Sequence, residues 1–150
     1  MLHIALYEPE IPPNTGNIAR LCTATGTRLH LIGRLGFRLD DKSLQRAGLD
    51  YWPAVDVHQH ITFDEFLATV TGRLWVVETP APQFYTQARF QDGDCLLFGS
   101  ESKGLPPSIR ARCEERVVGI PMPAGKVRSL NLATAAGIVL YEALRQVHGW

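Results

Sequence analysis

Short apolar runs alternate with longer segments of helical periodicity along the 150 residues of the chain. Each run spans only four to six residues. That length suits a buried strand and falls far below the ~20 residues of a membrane-spanning helix. The predicted strands are Leu2–Tyr7, Leu29–Ile32, Ala54–Val57, Leu74–Val77, Cys95–Phe98 and Val117–Ile120. Because they are apolar throughout, they favour a parallel sheet that is buried on both faces.

The segments between the strands carry signals of helix starts. Thr62 and Glu65 form a capping box, and Asn131 precedes a long Ala-rich segment with one apolar face. The predicted helices are Thr15–Thr25, Asp41–Ala47, Thr62–Val70, a helix from Pro106 or Pro107 to Cys113, and Asn131–His148. The alternation predicts an α/β fold, a mostly parallel sheet with helices on both faces, in one domain of residues 1–150. Ligands of such sheets bind beyond the carboxyl ends of the strands, so the loops there are the candidates for chemistry.

The loop after the first strand, "EPEIPPNTGNIARLC" (Glu8–Cys22), is the first candidate. Three prolines stiffen the exit from the strand. Asn14 and Thr15 can cap the next helix, which leaves its free amide groups near an anion. Arg20 lies about one turn inside that helix. A well-capped helix with a surface arginine explains the same residues, and both interpretations stay open at this point.

The loop "LLFGSESKGLP" (Leu96–Pro106) follows a late strand. Gly99 and Gly104 have the spacing of a phosphate loop, but Leu105 stands where that motif requires lysine, which excludes nucleoside triphosphate binding. What remains is a glycine at a strand end, where another group approaches the backbone closely, with Glu101 beside it. A plain turn is the alternative.

Two further loops follow strands. The segment "GIPMPAGKVRSLNLATA" (Gly119–Ala135) is shaped by two prolines and a glycine. Ser129, Leu130 and Asn131 open the last helix there, and an ordinary N-cap is the simpler explanation. Val76–Thr79 ends an apolar strand just before a long proline-rich loop.

The composition of the chain narrows the class of protein to which it can belong. Apolar residues make up 45% of the chain and charged residues 20%, as in an ordinary globular protein. The widely spaced Cys22, Cys95 and Cys113 indicate reduced core thiols of a cytoplasmic protein, and no secretory signal is visible. His58 and His60 alternate at a strand end without a third ligand nearby, so no metal site is predicted.

The net charge is zero, but the charges are unevenly distributed. Residues 20–46 and 103–128 each carry six basic and two acidic side chains, whereas residues 50–101 carry two basic and eight acidic ones. If the two basic segments fold together, one face of the protein would be cationic; scattered solvated charge is the alternative. The neutral total argues against a large sequence-independent surface for nucleic acid.

Three segments together resemble the motifs of SPOUT-class RNA 2′-O-methyltransferases: "NTGNIAR", "FGSESKGLP" and "IPM…RSLNLATAAGIVLYEA". The strings "LYEPEIPPNTGNIARLC" and "GFRLDDKSLQRAGLDYW" (Gly36–Trp52) resemble more narrowly the tRNA wobble-position cytidine/uridine 2′-O-methyltransferases, over essentially the whole chain. The resemblance implies methyl transfer from S-adenosylmethionine to the ribose 2′-hydroxyl of the wobble nucleotide, by a homodimer without a metal. It also implies a SPOUT-type fold with a C-terminal trefoil knot, which periodicity would not propose because threaded chains are rare.

The resemblance also assigns roles to individual residues. The cofactor residues would be Val77, Gly99, Ile120, Ser129 and Leu130. The catalytic residues would be Arg20 and Tyr141, and the substrate contacts would be Asn17, Arg20 and Asn131.

Arg20 is an awkward general base because a guanidinium group stays charged. The preferred interpretation is that Arg20 binds the adjacent phosphate and stabilises charge that develops on the hydroxyl oxygen. Two other functions stay open: a ribosomal-RNA 2′-O-methyltransferase of the same class, and an RNA-binding protein that uses the same scaffold without turnover.

Overall fold

The computed structural model describes residues 1–40, 42, 44, 46 and 54–150. The strands within these ranges are β1 (His3–Tyr7), β2 (Arg28–Ile32), β3 (Val57–His60), β4 (Leu74–Val77), β5 (Gln83–Phe84), β6 (Cys95–Phe98) and β7 (Val117–Gly119). The helices are α1 (Pro12–Thr25), α2 (Phe63–Leu67), α3 (Pro107–Ala111) and α4 (Leu132–His148). In this described part of the chain, no helix is long and apolar enough to cross a membrane.

The strands form one sheet in the order β3-β2-β1-β6-β4-β7-β5, and all of its pairings are parallel. The predicted α/β fold with a parallel sheet is therefore confirmed. The chain adds β2 and β3 on one side of β1 and places its later strands on the other side. Open parallel sheets bind ligands at such a reversal, beyond the carboxyl ends of the strands.

Helices cover both faces of the sheet, as predicted. One core cluster packs Ile18 of α1 and Leu140 of α4 against the first face. The second cluster packs Phe66 of α2 and Ile109 of α3 against the other face. β1, β2, β4, β6 and β7 each contribute to both clusters because the successive side chains of a strand point to opposite faces. α1 and α4 also contact each other. The trefoil knot stays a prediction of the resemblance.

The third strand begins three residues later than the predicted Ala54–Val57. It pairs Val57 with Leu29 and His60 with Ile32 of β2, at the edge of the sheet. An edge strand has a partner on one side only and tolerates polar side chains, so this strand carries no continuous apolar run. Pairing with β2 decided its position, and the local hydrophobicity pattern did not.

The short strand β5 lies inside the long proline-rich loop that the sequence predicts after the fourth strand. Only two of its residues pair, Gln83 with Val118 and Phe84 with Gly119 of β7. A pairing this short leaves no periodic signal in the sequence.

Helix α1 begins at Pro12 with Ile11 as its N-cap, so the predicted start at Thr15 behind an Asn14 cap is wrong. Proline suits the first helical positions because its φ angle is already helical and it has no amide hydrogen to leave unpaired. The amide of Ile11 donates to a carboxylate oxygen of Glu101 at 2.8 Å. A residue from a distant loop thus completes the helix start.

The other helix starts follow the sequence signals. Asn131 caps α4 by accepting hydrogen bonds from two amides of the first turn, and Thr62 and Glu65 form the predicted capping box of α2. α2 ends three residues and α3 two residues earlier than predicted. The helix predicted over Asp41–Ala47 lies largely outside the described residues.

Candidate functional site

A cavity of about 610 Å³ opens where β4, β6 and β7 end. Small-molecule sites occupy a range of about 300–1,000 Å³. The cavity wall includes all five residues that the resemblance assigns to the cofactor: Val77, Gly99, Ile120, Ser129 and Leu130. Three segments that lie far apart in sequence, at the ends of β4, β6 and β7, therefore meet around one space.

Gly99 lies where the loop after β6 folds tightly onto itself. A Cβ atom at Gly99 would come within 2.2 Å of the carbonyl carbon of Gly104 and 2.4 Å of the amide nitrogen of Leu105. The amide of Gly104 donates to the carbonyl of Ser100 at 2.9 Å, which closes the turn. The close backbone approach predicted at Gly99 thus comes from the protein's own chain, and it leaves the other side of the loop on the cavity wall.

A chain of hydrogen bonds joins three loops at the cavity. Glu101 accepts hydrogen bonds from the backbone amides of Glu10 at 2.9 Å and Ile11 at 2.8 Å. The side-chain amide of Asn14 donates to Glu101 at 3.2 Å, and its oxygen accepts from Asn131 Nδ2 at 2.9 Å. The oxygen of Asn131 caps α4. The network ties the loop after β6 to the starts of α1 and α4.

Charged side chains of both signs line the cavity: Glu78, Glu101, Lys103 and Arg128. Both carboxylates already accept hydrogen bonds from protein donors. Next to the cavity, the hydroxyl of Ser102 donates to Glu10 at 2.6 Å and its amide donates at 2.9 Å. These two hydrogen bonds hold the pKa of the Glu10 carboxyl below its usual value.

The predicted catalytic residues lie outside this cavity wall. Asn17 and Arg20 are exposed on α1, and Tyr141 on α4 keeps 49% of its surface exposed. Asn131, the third predicted substrate contact, is exposed at the start of α4 and does line the cavity. The described residues of one chain thus bring the predicted cofactor residues together but leave Arg20 and Tyr141 exposed on α1 and α4.

The cysteines match the sequence interpretation. Cys22, Cys95 and Cys113 are free and buried. Burial raises the pKa of the Cys22 thiol to about 12, so this thiol stays protonated. Within the described ranges, no group of three or more side chains could hold a metal ion. His58 pairs with Asp56 at 2.7 Å instead.

Sequence reasoning missed the hydrogen bonds by which Glu78, Glu101 and Asn14 join distant segments at the cavity. Asn14 was predicted to cap its own helix, and instead it bridges two other segments. Its partners lie 87 and 117 residues away along the chain. A polar pair at that separation leaves no periodic pattern in the sequence. Glu101, beside Gly99, was the one sequence signal of this network.

Comparison with known proteins agrees with this geometry. Residues 1–141 match the SpoU rRNA Methylase family. The tRNA (cytidine(34)-2′-O)-methyltransferase of Escherichia coli is 50% identical over 149 residues, which cover 98% of this chain and 94% of that protein.

Two solved structures extend the comparison. A structure that concerns the 2-OH methylation of C/U34 on tRNA has a TM-score of 0.95 at 50% identity and covers 100% of this chain and 98% of its own. The SpoU methyltransferase AviRb from Streptomyces viridochromogenes, in complex with the cofactor AdoMet, has a TM-score of 0.87 at 28% identity, over 97% of this chain and 60% of its own. With sequence motifs, sheet and family match in agreement, the chain belongs to the SpoU methylase family.

Proposed function

We propose that the protein transfers a methyl group from S-adenosylmethionine to the ribose 2′-hydroxyl of the wobble nucleotide, cytidine or modified uridine, in the tRNA anticodon loop, with S-adenosylhomocysteine and a proton as the other products. The observation that carries this proposal is the convergence of Val77, Gly99, Ile120, Ser129 and Leu130 on one cavity. The relatives that match along nearly their whole length are named as cytidine(34) tRNA enzymes, which favours tRNA over ribosomal RNA. A tRNA substrate implies a cytoplasmic location.

The cavity suits the cofactor that the family implies. Val77, Ile120 and Leu130 offer apolar contacts and main-chain hydrogen-bonding groups to an adenine ring, and Ser129 adds a hydroxyl. The tight turn at Gly99 keeps its backbone in a fixed position on the wall. When bound, S-adenosylmethionine supplies a methyl group already activated on a sulfonium, so the chain's main task is positioning.

Arg20 is the proposed catalytic group. Because its guanidinium stays charged, it binds a phosphate next to the target ribose and stabilises negative charge that develops on the 2′-oxygen. Asn17, three residues earlier on α1, is exposed on the same helix and contacts the RNA. Asn131 contacts the ribose from the cavity side, and Tyr141 acts beside the arginine.

The protein acts as a homodimer in this proposal. Arg20 and Tyr141 are exposed on α1 and α4, whereas the cavity wall is built from other segments of the same chain. A second copy that packs on α1 and α4 would bring an arginine next to its partner's cavity. Sedimentation analysis of the native protein measures this state, and a monomer with full activity would contradict it. The proposal also includes a single domain over residues 1–150 and a trefoil knot near the C-terminus.

The test is methyl transfer by the Arg20→Ala variant. With labelled S-adenosylmethionine and tRNA from cells that lack the protein, we expect the native chain to methylate one nucleotide, which mapping places at the wobble position. The variant should lose at least about 100-fold in kcat because a transition-state donor is removed. Its affinity for S-adenosylmethionine should stay within about twofold, since Arg20 lies outside the cavity wall.

Arg112→Ala serves as the control because Arg112 is an exposed arginine that pairs with Asp64 and lies outside α1 and α4. Intact methylation by the Arg20 variant would remove Arg20 from the catalytic site. Stoichiometric RNA binding without any transfer by the native protein would favour the non-catalytic RNA-binding function. Methylation of ribosomal RNA alone would favour the ribosomal substrate.

A further inference from the structure

One ion pair links the cavity wall to helix α3. Glu78 follows β4 directly, lines the cavity and keeps 20% of its side chain exposed. Its Oε1 accepts a hydrogen bond from Arg110 Nη1 at 2.7 Å, and its Oε2 accepts one from the amide of Leu105 at 2.8 Å. Arg110 also donates to the carbonyl of Pro80. The pair therefore joins the end of β4, the loop after β6 and α3.

The carboxylate of Glu78 is in direct contact with the turn that contains Gly99. A Cβ atom at Gly104 would lie 2.8 Å from Glu78 Oε2, and Gly104 has a φ of +67° that favours glycine. Gly104 and Leu105 are in turn the groups that approach Gly99 most closely. No free space separates the carboxylate from the turn, so a displaced carboxylate would displace the Gly99 backbone.

Glu78 itself is held in place from the opposite side. Its backbone amide donates to the carbonyl of Val118 in β7 at 3.1 Å, next to the pairing of Val77 with Val118. Arg110 holds the carboxylate from the third side through a charge-assisted hydrogen bond, which is stronger than a neutral one. The carboxylate is thus a fixed point against which the loop after β6 rests.

We propose that Glu78, oriented by Arg110, is a positioning residue for the methyl donor. It touches the Leu105 amide and fixes the Gly99 turn in the conformation that receives the adenosine part of the cofactor. This inference rests on the proposed function, since it assumes that the cavity binds S-adenosylmethionine. Glutamine cannot replace the carboxylate, because one of its two polar atoms is a nitrogen donor that cannot accept from Leu105 or Arg110.

The test compares the variants Glu78→Gln and Arg110→Leu with matching variants of a second ion pair, that of Asp64 and Arg112. Arg112 lies two residues after Arg110 and pairs with Asp64 at 2.9 Å, and neither residue lines the cavity. Asp64→Asn and Arg112→Leu therefore make the same chemical changes away from the site. We measure kcat and KM for S-adenosylmethionine at saturating tRNA, the Kd by calorimetry, and the exchange rate of the Leu105 amide hydrogen by NMR.

We expect Glu78→Gln to raise the KM and Kd for S-adenosylmethionine about tenfold. Its kcat should stay within about twofold of the native value, because the variant loosens the site without removing a group that touches the reacting atoms. Leu105 amide exchange should become faster. Arg110→Leu should act in the same direction with a smaller effect, and the two control variants should leave KM and Kd unchanged.

A native KM and Kd in Glu78→Gln would overturn the inference, as would equal losses in the control variants. If Glu78→Gln does not fold, Arg110→Leu decides alone: an unchanged KM overturns the inference and a raised KM supports it. Assays of the native protein distinguish a wrong positioning role for Glu78 from a wrong proposed function. A native chain that neither binds S-adenosylmethionine nor methylates tRNA refutes the proposed function, whereas a defect-free Glu78 variant of an active enzyme refutes only the positioning role.

Discussion

At the scale of single residues, the tightest constraint lies at Gly99. The positions of Gly104 and Leu105 leave no room for a side chain there, because a Cβ atom would overlap backbone atoms that cannot rotate away. Gly137, in the middle of α4, is the opposite case, since a Cβ there would meet nothing within 4 Å. The sequence does not distinguish these two glycines, but only the position of Gly137 has space for a side chain.

We expect Gly99→Ala to lower the free energy of unfolding by about 1–3 kcal/mol, because the loop must shift to admit the methyl group. The same shift should weaken S-adenosylmethionine binding. Gly137→Ala is the matched control and should raise stability by up to about 1 kcal/mol through helix propensity. Urea unfolding and calorimetry measure both effects, and equal stabilities of the two variants would contradict the crowding argument.

At the scale of elements, a row of histidines joins β1, β2 and β3. His3 Nδ1 lies 2.9 Å from His30 Nε2, and His30 Nδ1 lies 3.0 Å from His60 Nε2. Phe66 of α2 makes an edge contact with His30, which is only 4% exposed. Burial, followed by repulsion from the neighbouring imidazoles, lowers the pKa of His30 to about 3. Burial also lowers the pKa values of His3 and His60.

The row predicts a loss of stability in mild acid. A histidine whose folded pKa is lowered stays neutral in the native state, while the unfolded chain takes up a proton below its ordinary pKa near 6.5. Stability is therefore fully present above about pH 6.5 and falls as the pH drops below that value, by at most about 1.4 kcal/mol per pH unit for each group. From pH 7 to 5, His30 alone should remove about 2 kcal/mol.

Urea unfolding at pH 7, 6 and 5 measures this slope, and comparison of variant with native chain removes the contribution of carboxyl groups, which begin to protonate near pH 5. His30→Gln should make the slope shallower. His148→Gln, at the end of α4 and outside the row, is the matched control. A His30 variant with the native pH dependence would exclude His30 as the cause.

At the scale of the whole molecule, the candidate site depends on contacts between segments that are distant in sequence. Asn14 bridges Glu101 of the loop after β6 and Asn131 at the start of α4. Its side chain is buried, with 6% exposure. The three residues meet because β1 and β6 are neighbours in the sheet and because α1 packs beside α4.

Asn14→Ala should lower the free energy of unfolding by about 1–3 kcal/mol, because it removes two part-buried hydrogen bonds, one of them to the carboxylate of Glu101. Because the bridge ends at the cavity, cofactor affinity should fall as well. Asn17→Ala, an exposed asparagine on the same helix, should change stability by less than about 0.5 kcal/mol. If both variants unfold at the same urea concentration, the bridge contributes nothing measurable.

Local patterns determined much of this protein. The apolar runs specify strands such as Cys95–Phe98, and the capping signals at Thr62 and Asn131 specify two helix starts. These strands and helix starts depend on residues within one turn or one strand, so residues that are close in sequence suffice to predict them. The resemblance likewise predicted the family and five cofactor residues that line one cavity, whereas Asn17, Arg20 and Tyr141 lie outside the cavity wall.

Only the tertiary structure decided what depends on distant partners. The position of β3 follows from its pairing with β2, and the start of α1 is completed by Glu101 from a loop about 90 residues later. The support of the Gly99 turn by Glu78 and Arg110 likewise joins segments that no local pattern relates. Such contacts are set by the order of strands in the sheet, because hydrogen bonds and ion pairs depend on distance in space and leave no period along the chain.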